Sequence, residues 1–158
     1  MNLKVKLKLL RPGAVIPHAA TASSAGCDLS YSGERDIVID VGAIVRVPTG
    51  IAIAPDESAD APDGGAAVVG LMFGRSGLGT KFGVTLANGV GVIDADYRGE
   101  VCAPLINRGA DAYTVHPGDR IAQLVFVPRF TACFEVSEEL PDTLRGTGGF
   151  GSTGVEKI

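Results

Sequence analysis

From residue 37 onward the chain divides into short apolar runs: 37–41, 44–47, 51–54, 66–73, 82–86, 90–93, 101–106, 112–115, 121–127 and 131–136. Valine and isoleucine dominate them, and β-branched side chains suit a pleated, half-buried surface better than a helix. No run extends into a 3.6-residue apolar repeat, which argues against folds built on long amphipathic helices. Most of the 22 glycines and nine prolines fall between the runs, where they allow tight reversals. The chain therefore reads as all-β, a sandwich or a jelly-roll-like distorted β-barrel of short strands. Helix is expected only as a turn or two near 75–81, where Gly77 and Gly79 oppose anything longer. Residues 1–9 alternate apolar and basic side chains, the pattern of a first strand and not of a signal peptide.

At 158 residues and 46% hydrophobic content the chain suits one packed domain, expected over 1–141, with a flexible arm over 142–158. Net charge is −4 and no Lys/Arg cluster stands out, so neither a nucleic-acid backbone nor a membrane is an expected partner. Cys27, Cys102 and Cys133 are odd in number and widely spaced, which fits reduced thiols in a cytoplasm. With His18 and His116 the only histidines, there is little from which to build a zinc site or a Cys/His dyad.

Several generic motifs match poorly. The glycines of 146–154 mimic a dinucleotide fingerprint without a βαβ context, and Gly74–Lys81 mimics a P-loop with Thr and Lys reversed. Asp94-Ala95-Asp96 starts like a calcium loop, but Arg98 and Leu105 occupy ligand positions. Ser76 has no histidine nearby in sequence to activate it, so water is the better nucleophile for any hydrolysis.

Other segments combine well. Residues 73–79 offer Arg75, Ser76 and glycine-flanked N–H groups such as that of Gly77, a kit for a polyphosphate. Residues 88–99 read as a hairpin with apolar sides and a polar tip, in which Asp94 is placed to hold a water and Tyr97 to stack on a sugar or base. Residues 118–124 read as a strand carrying Arg120 and Gln123. In the arm, Arg145 can pair with phosphate and Phe150 can lie on a planar base, with glycines as hinges. Each residue also has an ordinary structural use: Arg75 in a surface ion pair, Asp94 in a turn, Tyr97 in the core and Gln123 facing solvent.

Five ordered segments carry a family resemblance. They are Ser24-Ala25-Gly26-Cys27-Asp28-Leu29, Gly74-Arg75-Ser76-Gly77-Leu78-Gly79, 91–99 with Ile93-Asp94-Ala95-Asp96-Tyr97 at its centre, Gly118-Asp119-Arg120-Ile121-Ala122-Gln123-Leu124, and the tail from Arg145. Together they resemble the motifs of the trimeric all-β deoxyuridine triphosphate nucleotidohydrolases (dUTPases). The resemblance implies hydrolysis of dUTP to dUMP and pyrophosphate, which keeps uracil out of DNA and supplies dUMP for thymidylate synthesis.

The resemblance also implies roles. Asp94 would be the general base for water attacking the α-phosphorus. Asn88, Val92 and Ile93 would hold uracil, with Cys102 lining that pocket, and Tyr97 would press on the deoxyribose. Arg75, Ser76, Gly77 and Gln123 would hold the phosphates, with Arg145 on the distal one. Phe150, with Gly151 and Ser152 beside it, would close over the base. Asp28 and Arg120 would brace the site. Mg²⁺ would ride on the triphosphate without a direct protein ligand, and a homotrimer would build sites from all three chains. Gly74 departs from the family pattern, standing where proline is common, Cys27 replaces a usually larger residue, and 56–65 is longer than the usual connection. The related dCTP deaminases share fold and trimer but are not expected to combine the Ile93–Tyr97 segment with this tail. A non-catalytic module on the same scaffold would have no reason to keep Asp94, Arg75, Gln123 and Phe150 together.

Overall fold

The computed structural model describes residues 3–57 and 67–149; residues 58–66 of the long connection, and Phe150, Gly151 and Ser152 of the arm, lie outside the described residues. Twelve strands and one helix follow in the order β1 (Val5–Leu9), β2 (His18–Ala19), β3 (Cys27–Ser30), β4 (Ile37–Ile39), β5 (Ile44–Pro48), β6 (Ile51–Pro55), β7 (Val68–Gly74), α1 (Ser76–Phe82), β8 (Val84–Leu86), β9 (Gly91–Ile93), β10 (Cys102–Asn107), β11 (Tyr113–Val115) and β12 (Arg120–Pro128). The largest sheet has the order β2-β3-β12-β7-β9. Three smaller sheets, β5-β10-β8, β1-β6 and β11-β4, complete a jelly-roll-type domain in which every strand pairing among the described residues is antiparallel.

The expected barrel does not close: among the described residues the ladders remain four separate sheets. Several strands span only two or three residues, too short to hydrogen-bond continuously around a cylinder. One apolar core joins the sheets, with Leu29, Ile39, Val47, Ile51, Leu86, Leu105 and Ile121 almost wholly buried. Each such side chain contributes about 1.5–3 kcal/mol relative to exposure. In β10 burial alternates strictly along the strand, as one core-facing side requires. In β12 the register shifts between Arg120 and Ala122, and the irregularity turns the consecutive Ile121 and Ala122 both inward.

Helix α1 is one short piece, as the glycines require. Gly83 ends it at φ +70°, and its N–H bonds the carbonyls of Leu78 and Gly79. A side chain at Gly83 would collide with the backbone of Gly109, so glycine is needed there for space as well as for backbone conformation. At Gly74, the departure from proline, a Cβ would come within 2.8 Å of Thr85 Oγ1.

Two local expectations need correction. Segment 88–99 is not a paired hairpin: β9 pairs with β7, and the chain then turns at Asp94, where Tyr97 N–H donates to the Asp94 carbonyl at 3.1 Å. The apolar run 131–136 forms no strand, because among the described residues no ladder presents it with a partner. The last strand ends at Pro128, and the apolar side chains of Phe130, Phe134 and Val136 are 98%, 93% and 100% exposed.

Candidate active site

Strand pairing brings three of the five sequence segments together around Asp28. β3 runs against β12 with Asp28 opposite Gln123, and β12 continues the sheet to β7 with Ala122 opposite Gly74. Arg75, the residue after β7, is thereby delivered to the same corner. The Asp28 carboxylate is only 4% exposed and accepts from Arg75 Nε at 3.1 Å, Gln123 Nε2 at 3.2 Å and Arg120 Nη1 at 2.9 Å. Arg75 Nη1 also donates to the Arg120 carbonyl at 3.2 Å, which fixes the guanidinium plane. Arg75 Nη2 makes no hydrogen bond among the described residues, and no side chain caps α1, which starts immediately after Arg75. The corner thus combines a buried anion with two arginines and an uncapped helix start carrying Ser76 and Gly77.

Burial alone would raise the Asp28 pKa, but the Gln123 hydrogen bond and the two arginines outweigh it and hold the carboxyl below its ordinary value of 3.8. A depressed native pKa stabilises the fold above the unfolded pKa, and that contribution disappears as pH falls through the native value. Acid titration of wild type should therefore show stability falling below about pH 3.8, with Asp28→Asn lacking that component. At pH 7 the variant is expected to be less stable by about 1.5–3 kcal/mol in urea denaturation. Equal stability of the two proteins at both pH values would contradict the bracing role.

A second cluster forms at β9 and the turn after it. Asn88, Val92, Ile93, Asp94, Tyr97 and Cys102 line one cavity of about 300 Å³, a size suited to a small ligand. Asp94 is exposed at its rim, immediately after the buried Ile93. Arg98 ties the turn by donating to the carbonyls of Ala95 at 2.7 Å and Tyr97 at 3.1 Å. The Cys102 thiol is pushed above its usual pKa, first by burial and then by the nearby Glu100 carboxylate. It therefore stays protonated near neutrality and suits a pocket wall, not a nucleophile. Arg46, Met72 and Glu100 line the same cavity and carried no signal in the sequence pattern.

One chain does not bring the two clusters together. Ile93 lies opposite Gly70, so Asp94 leaves the sheet near the start of β7, while Arg75 follows its far end. At about 3.4 Å per residue, that separation along the strand is about 20 Å. Arg145 is at neither cluster's hydrogen-bond network: its Nε donates locally to the Gly148 carbonyl at 2.8 Å. Among the described residues no three His, Cys, Asp or Glu side chains gather as a metal cage. No helix among them is long and apolar enough to cross a membrane.

Fold and site together define a jelly-roll β-domain with an arginine-lined corner around the buried Asp28 and a separate cavity lined by Asn88, Asp94, Tyr97 and Cys102. Residues 13–154 match the dUTPase family model, and the chain belongs to the dUTPase family. It is 46% identical over 156 residues to the deoxyuridine 5'-triphosphate nucleotidohydrolase of Desulfitobacterium hafniense (strain DSM 10664 / DCB-2), covering 98% of each chain. Identity to the enzyme of the same name from Neisseria gonorrhoeae (strain NCCP11945) is 44%, over 98% of this chain and 99% of that one. Among solved structures, a mutant dUTPase of Staphylococcus bacteriophage 80alpha, determined with dUpNHpp, aligns with a TM-score of 0.83 at 26% identity, covering 96% and 99% of the two chains.

Proposed function

We propose that this protein hydrolyses dUTP at the α-phosphorus, releasing dUMP and pyrophosphate, in a homotrimer whose sites are shared between chains. The observation that carries this reading is the single cavity that gathers Asn88, Val92, Ile93, Tyr97 and Cys102 with Asp94 at its rim. Asn88 and the backbone at Val92 and Ile93 bind uracil, and a pocket closed around the base excludes the methyl of thymine and the amine of cytosine. Asp94 accepts a proton from a water as its oxygen bonds the α-phosphorus, and the bond from that phosphorus to the bridging oxygen breaks. Pyrophosphate leaves with the bonding electrons.

Arg75, Ser76, Gly77 and Gln123 hold the phosphates, while Asp28 and Arg120 hold Arg75 and Gln123 in place. Mg²⁺ carried on the triphosphate would neutralise charge there, its ligands being phosphate oxygens and water. The arm of residues 142–158 closes a site with Arg145 on the distal phosphate and Phe150, Gly151 and Ser152 over the base, excluding bulk water. Free thiols at Cys27, Cys102 and Cys133 fit a reducing cytoplasm.

Two features support sharing between chains. Asp94 leaves the sheet near the start of β7 while Arg75 follows the end of that strand, so a phosphorus in reach of Asp94 of one chain needs phosphate ligands from another. The exposed Phe130, Phe134 and Val136 lie between the domain and the arm, and a neighbouring subunit is the cover that the trimer provides. Release of pyrophosphate from dUTP, with dTTP, dCTP and UTP as controls, tests the activity. Ammonia from dCTP would instead indicate a deaminase. Tyr97→Ala is expected to lower the dUTP:UTP ratio of kcat/KM by about tenfold or more, since it removes the wall against a 2′-hydroxyl. An unchanged ratio would place sugar selection elsewhere.

A further inference from the structure

We infer that Arg11 and Glu100 act as a positioning pair that holds Tyr97 in place and so sets the preference for deoxyribose over ribose. The inference rests on the dUTPase reading and on Tyr97 as the sugar contact. Glu100 lines the base cavity and its side chain is 22% exposed. Both of its oxygens are taken by the Arg11 guanidinium, Nη1 to Oε1 and Nη2 to Oε2, each at 2.7 Å. The Gly50 N–H donates to Oε1 at 2.7 Å, and Arg11 Nη1 also reaches Ser32 Oγ at 3.0 Å. A bidentate fork of this kind fixes orientation as well as distance.

The fork ties three distant pieces of chain together. Arg11 follows β1, Gly50 sits between β5 and β6 at φ +72°, and Leu10 N–H closes onto the Gly50 carbonyl at 2.8 Å. Beyond Glu100, Val101 N–H donates to the Ile51 carbonyl at 2.9 Å. The turn carrying Asp94 and Tyr97 is therefore anchored by β9 on one side and by Glu100 on the other.

Tyr97 depends directly on that second anchor. Its hydroxyl donates to the main-chain carbonyl of Glu100 at 3.1 Å. Its ring lies across Gly99, where any Cβ would overlap the phenol. The ring is 46% exposed, and no other hydrogen bond holds its hydroxyl among the described residues. Its position is thus set by the backbone of Gly99 and Glu100, and the Glu100 backbone is set by its own side chain. The pair stays ionised near neutrality: burial pushes Glu100 upward, but Arg11 and the Gly50 N–H bring it below the usual carboxylate range. Releasing the fork lets the turn shift, and a displacement of about 1 Å is enough to change how a bound group is oriented.

The test measures kcat and KM for dUTP and UTP with full-length wild type, Glu100→Gln, Tyr97→Phe and the double variant, alongside thermal melting. Glu100→Gln keeps shape but loses the charge that holds the fork, and Tyr97→Phe removes the hydroxyl that uses the anchor. Each single variant is expected to lower the dUTP:UTP ratio of kcat/KM about tenfold, chiefly through a lower KM for UTP, with no further loss in the double variant. A folded Glu100→Gln protein with the wild-type ratio overturns the inference, as does an additive double variant. If Glu100→Gln does not fold, Arg11→Lys carries the same expectation, because an ammonium cannot reproduce the fork. Wild type without dUTP hydrolysis would remove the underlying reading, whereas a relaxed Tyr97→Ala beside an unaltered Glu100→Gln removes the positioning pair alone.

Discussion

Asp94→Asn is expected to lower kcat for dUTP by about 10²–10⁴-fold, the contribution typical of a positioned general base. The amide keeps the size of the carboxylate and can still hold a water, but it cannot take the proton as the new bond forms. Asp94 stands at the cavity rim and not in the core, so the fold should be indifferent to the change. The proposed reading assigns uracil recognition to Asn88 and the strand before Asp94, so binding of a non-hydrolysable analogue such as dUpNHpp should remain close to wild type. Stopped-flow turnover and calorimetric binding on the same preparation separate the two quantities. A variant with wild-type kcat would reject Asp94 as the base.

Deleting residues 142–158 is expected to lower kcat/KM by about 10²-fold or more, because the deletion removes Arg145 and Phe150, the residues proposed to hold the distal phosphate and cover the base, while the pocket remains. The melting transition should be nearly unaffected, since the last core side chains of β12 lie before Pro128 and nothing described after it is buried. Mixing extends the result. Asp94→Asn chains keep an arm, and truncated chains keep an intact pocket. If a neighbour's arm closes each pocket, co-refolding equal amounts should restore about one site in four. An active truncated protein would contradict the lid, and mixtures no more active than their components would place arm and pocket in one chain.

The strand pattern was legible because most of the apolar runs meet a core-facing position at the period a sheet demands, as the alternation along β10 illustrates. Pairing was less legible. Residues 88–99 carry apolar sides and a polar tip, but β9 finds its partner in β7, some twenty positions earlier, and no local signal encodes that choice. β2 has only two residues, and β3 places Asp28 and Ser30 inside, so neither displays an apolar run. The run 131–136 shows the opposite case: strand-like composition without a partner among the described residues.

The site divides in the same way. Asp28, Arg75, Arg120 and Gln123 meet at one corner and Asn88, Asp94, Tyr97 and Cys102 line another, whereas the resemblance implied one common site that also drew on Arg145. Arg11 and Glu100 could not be paired from sequence, because they stand 89 positions apart and belong to no shared motif. Their contact follows from the way β1 and β6 lie together and bring Leu10 onto Gly50.

The most direct test of the proposed chemistry is to run dUTP hydrolysis in ¹⁸O-labelled water and weigh both products. Attack on the α-phosphorus by water activated at Asp94 places one heavy oxygen in dUMP and none in pyrophosphate. Label found in pyrophosphate would mean that the β-phosphorus is attacked, and the assignment of Asp94 to the α-phosphorus would be wrong.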